Sequence, residues 1–68
     1  MVQYVVTDWI DRFEYYDELD KAIGKVKTFW KKKKYYVVVA DVVDGMITGV
    51  YRRGGYFAIK PTLFEGEL

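Results

Sequence analysis

Residues 35–61 read YYVVVADVVDGMITGVYRRGGYFAIKP. Three apolar runs are joined there by Asp44-Gly45 and Gly54-Gly55, dipeptides that tolerate the positive φ of primed hairpin turns. The stretch therefore predicts a three-stranded antiparallel meander. With Val43 opposite Met46 and Arg53 opposite Tyr56, strict alternation divides the meander into two faces. One face carries Val37, Val39, Val43, Met46, Val50, Phe57 and Ile59 and has the composition of a core. The other carries Tyr36, Val38, Ala40, Val42, Ile47, Tyr51, Arg53, Tyr56, Ala58 and Lys60, a tyrosine-rich apolar surface with two cations. The same register sets Asp41 against Thr48 among aliphatic residues. Because a buried carboxylate is costly unless paired, Asp41 is expected to bond Thr48 or the turn backbone.

Upstream, the period changes. Leu19, Ala22, Ile23, Val26, Phe29 and Trp30 form the apolar stripe of an amphipathic helix. Asp17 is placed to cap its start, and Asp17 and Glu18 at one end and Lys31 to Lys34 at the other complement the helix dipole. Gly24 falls opposite the stripe, where nothing in the fold asks for glycine. Residues 2–10, VQYVVTDWI, are β-branched and aromatic and read as a first strand. Asp11 to Tyr16 either extends that strand or begins a short second one. Pro61 cannot donate to a sheet ladder and ends or edges the last strand. The reading is a single α+β domain over residues 1–68, β-α-β-β-β, with one amphipathic helix packed on a mainly antiparallel sheet. A helical connection is long enough for the first strand to lie parallel to a later one.

A 68-residue chain buries only about 60% of the surface its unfolded form exposes. With no Cys there is no disulfide or thiolate site to reinforce it, so self-association or a partner is the expected reinforcement. No apolar run approaches the length of a membrane span and no secretory signal is evident, so the expected location is cytoplasmic. Net charge is only +1, but residues 1–20 hold six acids against Arg12 alone, while residues 21–34 hold seven lysines and no acid.

The chain has no His, Cys or Ser, which removes the usual nucleophile and base constellations and the commonest metal ligands. No catalytic residue, metal site or cofactor is expected. Gly45, Gly54 and Gly55 are turn glycines, and no helix follows them to bind a phosphate. Lys31, Lys32, Lys33 and Lys34 have two readings. They serve the helix end and keep the following valine run soluble, or they supply electrostatic contacts together with Asp17 and Glu18. Tyr36, Tyr51, Arg53, Tyr56 and Lys60 are the expected partner-binding residues, because tyrosine and arginine are enriched at protein hot spots and also stack on bases. The expected function is a non-enzymatic protein-binding module, a homo-oligomer acting by steric occlusion of a larger protein. The alternative is a single-stranded nucleic-acid-binding protein using the same tyrosines and the lysine run.

Residues 17–49, DELDKAIGKVKTFWKKKKYYVVVADVVDGMITG, join an acidic-start amphipathic helix to a valine-rich hairpin. That pattern resembles many small phage and prophage proteins, among them inhibitors of bacterial defence systems such as anti-CRISPR proteins. The resemblance implies a compact, often oligomeric inhibitor without catalytic residues. It carries no residue role onto any position of this chain.

Overall fold

Turn chemistry sets the first hairpin where the sequence predicts it. In the computed structural model, which describes residues 2–64, β3 (Val38–Val43) and β4 (Met46–Arg52) are joined through Asp44 and Gly45, at φ 50° and 82°. Two successive left-handed residues make the primed turn whose twist suits a hairpin, and Val43 pairs with Met46. The second hairpin turns one residue earlier than expected. Arg52 pairs with Gly55 and Tyr51 with Tyr56, leaving Arg53 and Gly54 as the loop before β5 (Gly55–Leu63). Glycine is required there, because Gly54 and Gly55 sit at φ 119° and 132°.

The larger departure lies inside the first hairpin. Val42 pairs with Ile47, but the next pair is Asp41 with Gly49, so Thr48 is an extra residue on its strand. A bulge of this kind reverses the face of everything beyond it. Tyr51 and Tyr56 therefore lie on the same side as Val39, and Val50 and Phe57 lie on the side of Ala40. The expected faces are corrected accordingly: Val50 and Phe57 leave the helix side, and Tyr51, Tyr56 and Ala58 join it. The cause is visible at Gly49, where the Tyr56 ring occupies the space a Cβ would need. The Tyr56 hydroxyl donates to Asp41 Oδ2 at 3.2 Å, and the Thr48 hydroxyl donates to the Asp41 carbonyl at 3.4 Å. The Asp41 carboxylate is thus partnered by the Tyr56 hydroxyl, while the Thr48 hydroxyl reaches the Asp41 backbone carbonyl.

The amino-terminal region supplies two strands. β1 (Val2–Thr7) pairs antiparallel with β2 (Phe13–Tyr16) on one side and with β3 on the other, giving the sheet order β2-β1-β3-β4-β5. The first strand is antiparallel, not parallel, to its later neighbour. The helix instead connects β2 to β3, two strands that run the same way with β1 between them.

The helix, α1 (Leu19–Lys31), begins at an extended Glu18 that makes no side-chain cap, so Asp17 is not the N-cap. Its stripe behaves as the period predicts. Ala22 and Val26 are buried against Val6, Val37 and Val39, with Ile23, Phe29, Trp30, Tyr4 and Tyr51 packed around them. Gly24 is exposed with open space about it. A second core forms on the opposite face of the sheet. Val5, Ala40, Val42 and Ile47 are buried there under Phe64, Phe13 and Val50, and the Phe13 and Phe64 rings meet edge-on at 6.2 Å. Val38, Ala40, Val42 and Ile47, expected on an open surface, are therefore core, whereas Ile59, expected in the core, is exposed.

Lysines end the helix in an unusual way. The Lys34 N–H donates to the Phe29 carbonyl at 3.0 Å and the Lys33 N–H to the Trp30 carbonyl at 2.9 Å, the paired bonds of a Schellman cap. Lys33 holds the left-handed position at φ 63°, where glycine is normally found. The Trp30 indole N–H then donates to the Val37 carbonyl at 2.8 Å and ties the helix end to the entry of β3. An L residue in that conformation costs roughly 1–2 kcal/mol, partly offset by its lower unfolded-state entropy relative to glycine. Lys33→Gly is expected to stabilise the fold by about 1 kcal/mol, read as a higher urea midpoint at unchanged slope. A lower midpoint would mean that the cap is not formed in this way.

Candidate functional site

The sheet's antiparallel pairing gathers three connections at one end. Thr7 is opposite both Phe13 and Val38, and Val39 is opposite Tyr51, so the 8–12 loop, the 32–37 loop and the Arg53-Gly54 turn are neighbours. Between them lies a shallow groove of about 330 Å³ lined by Trp9, Tyr35, Tyr36, Val38, Val50 and Arg52. Tyr36 is 60% exposed and Trp9 47% exposed. Val38 and Val50 reach the groove from the helix-free face of the sheet, next to Phe57, whose ring lies under the Arg52 guanidinium at 5.3 Å.

A second hollow of about 370 Å³ adjoins the first, lined by Lys27, Trp30, Lys31, Lys33, Tyr35 and Arg53. Tyr35 belongs to both, and the Arg53 guanidinium stacks on its ring at 4.5 Å. Neither lining contains an acidic residue. The site is therefore aromatic, cationic and open, with its arginines held over rings at distances that make cation–π attraction effective.

Trp9 is positioned by a built loop. The buried Thr7 hydroxyl accepts the Trp9 N–H at 2.9 Å, which helps to hold Trp9 at φ 67°. Left-handed backbone is rare for a bulky aromatic residue and needs surrounding structure to hold it. Asp8 supplies that structure, because its Oδ1 accepts the N–H groups of Ile10, Asp11 and Arg12 at 2.9, 3.1 and 3.1 Å. These bonds, with that of Ile10 first, hold the Asp8 carboxyl below the usual carboxylate range.

The predicted partner-binding residues do not form one surface. Tyr36 lines the groove and Arg53 the adjoining hollow. Tyr51 and Tyr56 lie across the sheet on the helix side, their rings tilted at 4.6 Å, with Tyr51 packed against the helix core. Burial, with Asp41 beside them, raises both phenols above the usual tyrosine value, so both are neutral hydroxyls at physiological pH. Lys60 is exposed on β5, away from the groove lining. Of the electrostatic candidates, Lys31 and Lys33 border the second hollow, while Lys32 and Lys34 are exposed beside it. Asp17 and Glu18 sit at the opposite end of the helix, where Glu18 pairs with Lys21 at 3.0 Å. Trp9, Tyr35, Val50 and Arg52 were not among the predicted site residues. For Val50 and Arg52 the readable signal was Gly49, since a glycine inside a strand pattern marks a bulge or a close approach.

Among the described residues no group of three or more metal-ligating side chains converges, and no helix is long and apolar enough to cross a membrane. The arrangement offers stacking, apolar contact and cationic hydrogen bonding.

Because the folded Asp8 carboxyl titrates below its unfolded value, its contribution is present above that value and is lost as pH falls through the folded one. The Ile10, Asp11 and Arg12 amide resonances should shift together, with a midpoint below 3.8, in an NMR titration. A midpoint above 3.8 would contradict the loop geometry. No protein-family model, curated protein or solved structure matches this chain.

Proposed function

We propose that the protein is a non-enzymatic binding module whose partner is another protein, engaged through the groove at the loop end of the sheet. The observation that carries this reading is the groove lining itself. Tryptophan, tyrosine and arginine are the three residue types most enriched at interface hot spots, and here Trp9, Tyr35, Tyr36 and Arg52 surround apolar Val38 and Val50. Trp9 is held by its loop before any partner arrives, which lowers the entropy cost of binding. Such a face acts by occupying a partner's surface, so steric occlusion is the mechanism it supports. The cationic border, from Arg52, Arg53, Lys31 and Lys33, favours a partner with an acidic rim.

A second reading is favoured by the same cations. Aromatic rings next to arginine and lysine, with no acid in the lining, also suit a single strand of nucleic acid. Salt separates the two, because phosphate binding falls steeply with ionic strength. Affinity capture from the source cell would provide the partner for titration by calorimetry. Tyr36→Ala, which removes an exposed ring outside both cores, is expected to cost on the order of 2 kcal/mol of affinity without lowering Tm. Labelled oligo(dT) and oligo(U), titrated between about 50 and 200 mM salt, provide the opposing arm. Tight oligonucleotide binding with a steep salt slope, lost in Tyr36→Ala, would replace the protein reading with the nucleic-acid one.

A further inference from the structure

Both outer strands of the sheet are paired on one side only among the described residues, and their charges are opposite. β5 is nine residues long and exposed throughout. From residue 45 to residue 64 the chain carries Arg52, Arg53 and Lys60 and no acid. The other outer strand, β2, lies in a segment carrying Asp11, Glu14, Asp17 and Glu18 against Arg12. Long, apolar sheet edges are normally blunted. The irregular pairing between Ile47 and Gly49, followed by Lys60 and Pro61, blunts the far half of β5. The half from Gly55 to Ala58 has no such device, and it carries the exposed Tyr56 and Phe57.

We infer that β5 of one copy takes β2 of a second copy of this chain, joining molecules head to tail into a continuous sheet. Direction supports this pairing. β2 and β3 are both antiparallel to β1, and β5 returns to the direction of β3 through β4, so β2 and β5 run the same way. When a second molecule repeats the orientation of the first along the sheet, its β2 meets β5 in parallel. Side-chain parity agrees. Tyr15 shares the face of Val5 and Phe57 that of Val50, both on the helix-free side, so one register sets Tyr15 against Phe57. At the two ends of that paired stretch the acids Asp11 and Glu18 flank β2, and the cations Arg53 and Lys60 flank the Gly55–Ala58 half of β5. Cross-strand aromatic pairs and opposite charges each stabilise a ladder. A twofold pairing of β5 with itself would instead bring together strands whose charged side chains, among the described residues from 45 to 64, are all cationic. The head-to-tail contact is heterologous, so it produces a closed ring or a growing filament and does not stop at a dimer.

Charge exchange tests the pairing. Sedimentation velocity of the wild type is expected to show association that grows with concentration, passes beyond a dimer and weakens as salt is raised. The variant Arg53→Glu/Lys60→Glu has two acidic edges, and Asp11→Lys/Glu18→Lys has two basic ones. Each alone is expected to remain monomeric with wild-type circular dichroism, and an equimolar mixture is expected to regain association. Should either double variant unfold, Lys60→Glu and Glu18→Lys alone form the second pair for the same mixing experiment. A monomeric wild type at all concentrations, a discrete dimer, or a mixture of folded variants that stays monomeric would overturn the inference. Arg53 belongs to the cationic border of the groove, so partner binding is read separately from edge pairing with Lys60→Glu and Glu18→Lys, which lie in neither hollow.

Discussion

The contact between Tyr56 and Gly49 is the constraint on which the rest of the molecule depends. A ring seated over β4 at that point needs a residue without a side chain beneath it, and the hydroxyl then reaches Asp41 on β3. That bond crosses three strands and provides a polar partner for Asp41. The insertion of Thr48 brings Gly49 opposite Asp41. The bulge is therefore tied down by side chains on both neighbouring strands, as expected of a feature that re-aims a sheet.

Re-aiming is what gives this short chain two cores. Val37 and Val39 face the helix, while Val50 turns away to join Val5, Ala40, Val42 and Ile47 beneath Phe64. With an unbulged strand, Val50 and Phe57 would lie on the helix side and Tyr51 would face away from it. The valine-rich β3, buried on both faces, is the shared floor. The groove follows from the same change of face, because Val50 contributes to its lining and the Phe57 ring holds Arg52 beside it. The groove, on this account, is a consequence of one extra residue in one strand.

Local signals were legible in the sequence wherever chemistry and geometry are local. The helix stripe from Ala22 to Trp30 follows from period alone, and Asp44-Gly45 specifies its own turn. The class of the fold and the packing of the helix on the sheet were readable on those grounds. What could not be counted was anything downstream of Thr48, since a slip of one residue exchanges faces without changing composition. Tyr51 and Arg53 therefore looked like neighbours on one surface, although only Arg53 reaches the loop end. Trp9 was hidden for a different reason. Its φ depends on the Thr7 hydroxyl and on three amides gathered by Asp8, an arrangement that no apolar period reports. The lysine run was read as a helix end, and it is one, but only Lys31 lies in the last helical turn while Lys33 occupies the left-handed cap position.

Backbone NOEs across the β3–β4 ladder, in the isotope-labelled protein, test the bulge most directly. Cross-strand contacts pairing Val39 with Tyr51 and Asp41 with Gly49 are the predicted result. Contacts pairing Val38 with Tyr51 and Asp41 with Thr48 would show an unbulged hairpin. That result would contradict the two-core fold and the groove together.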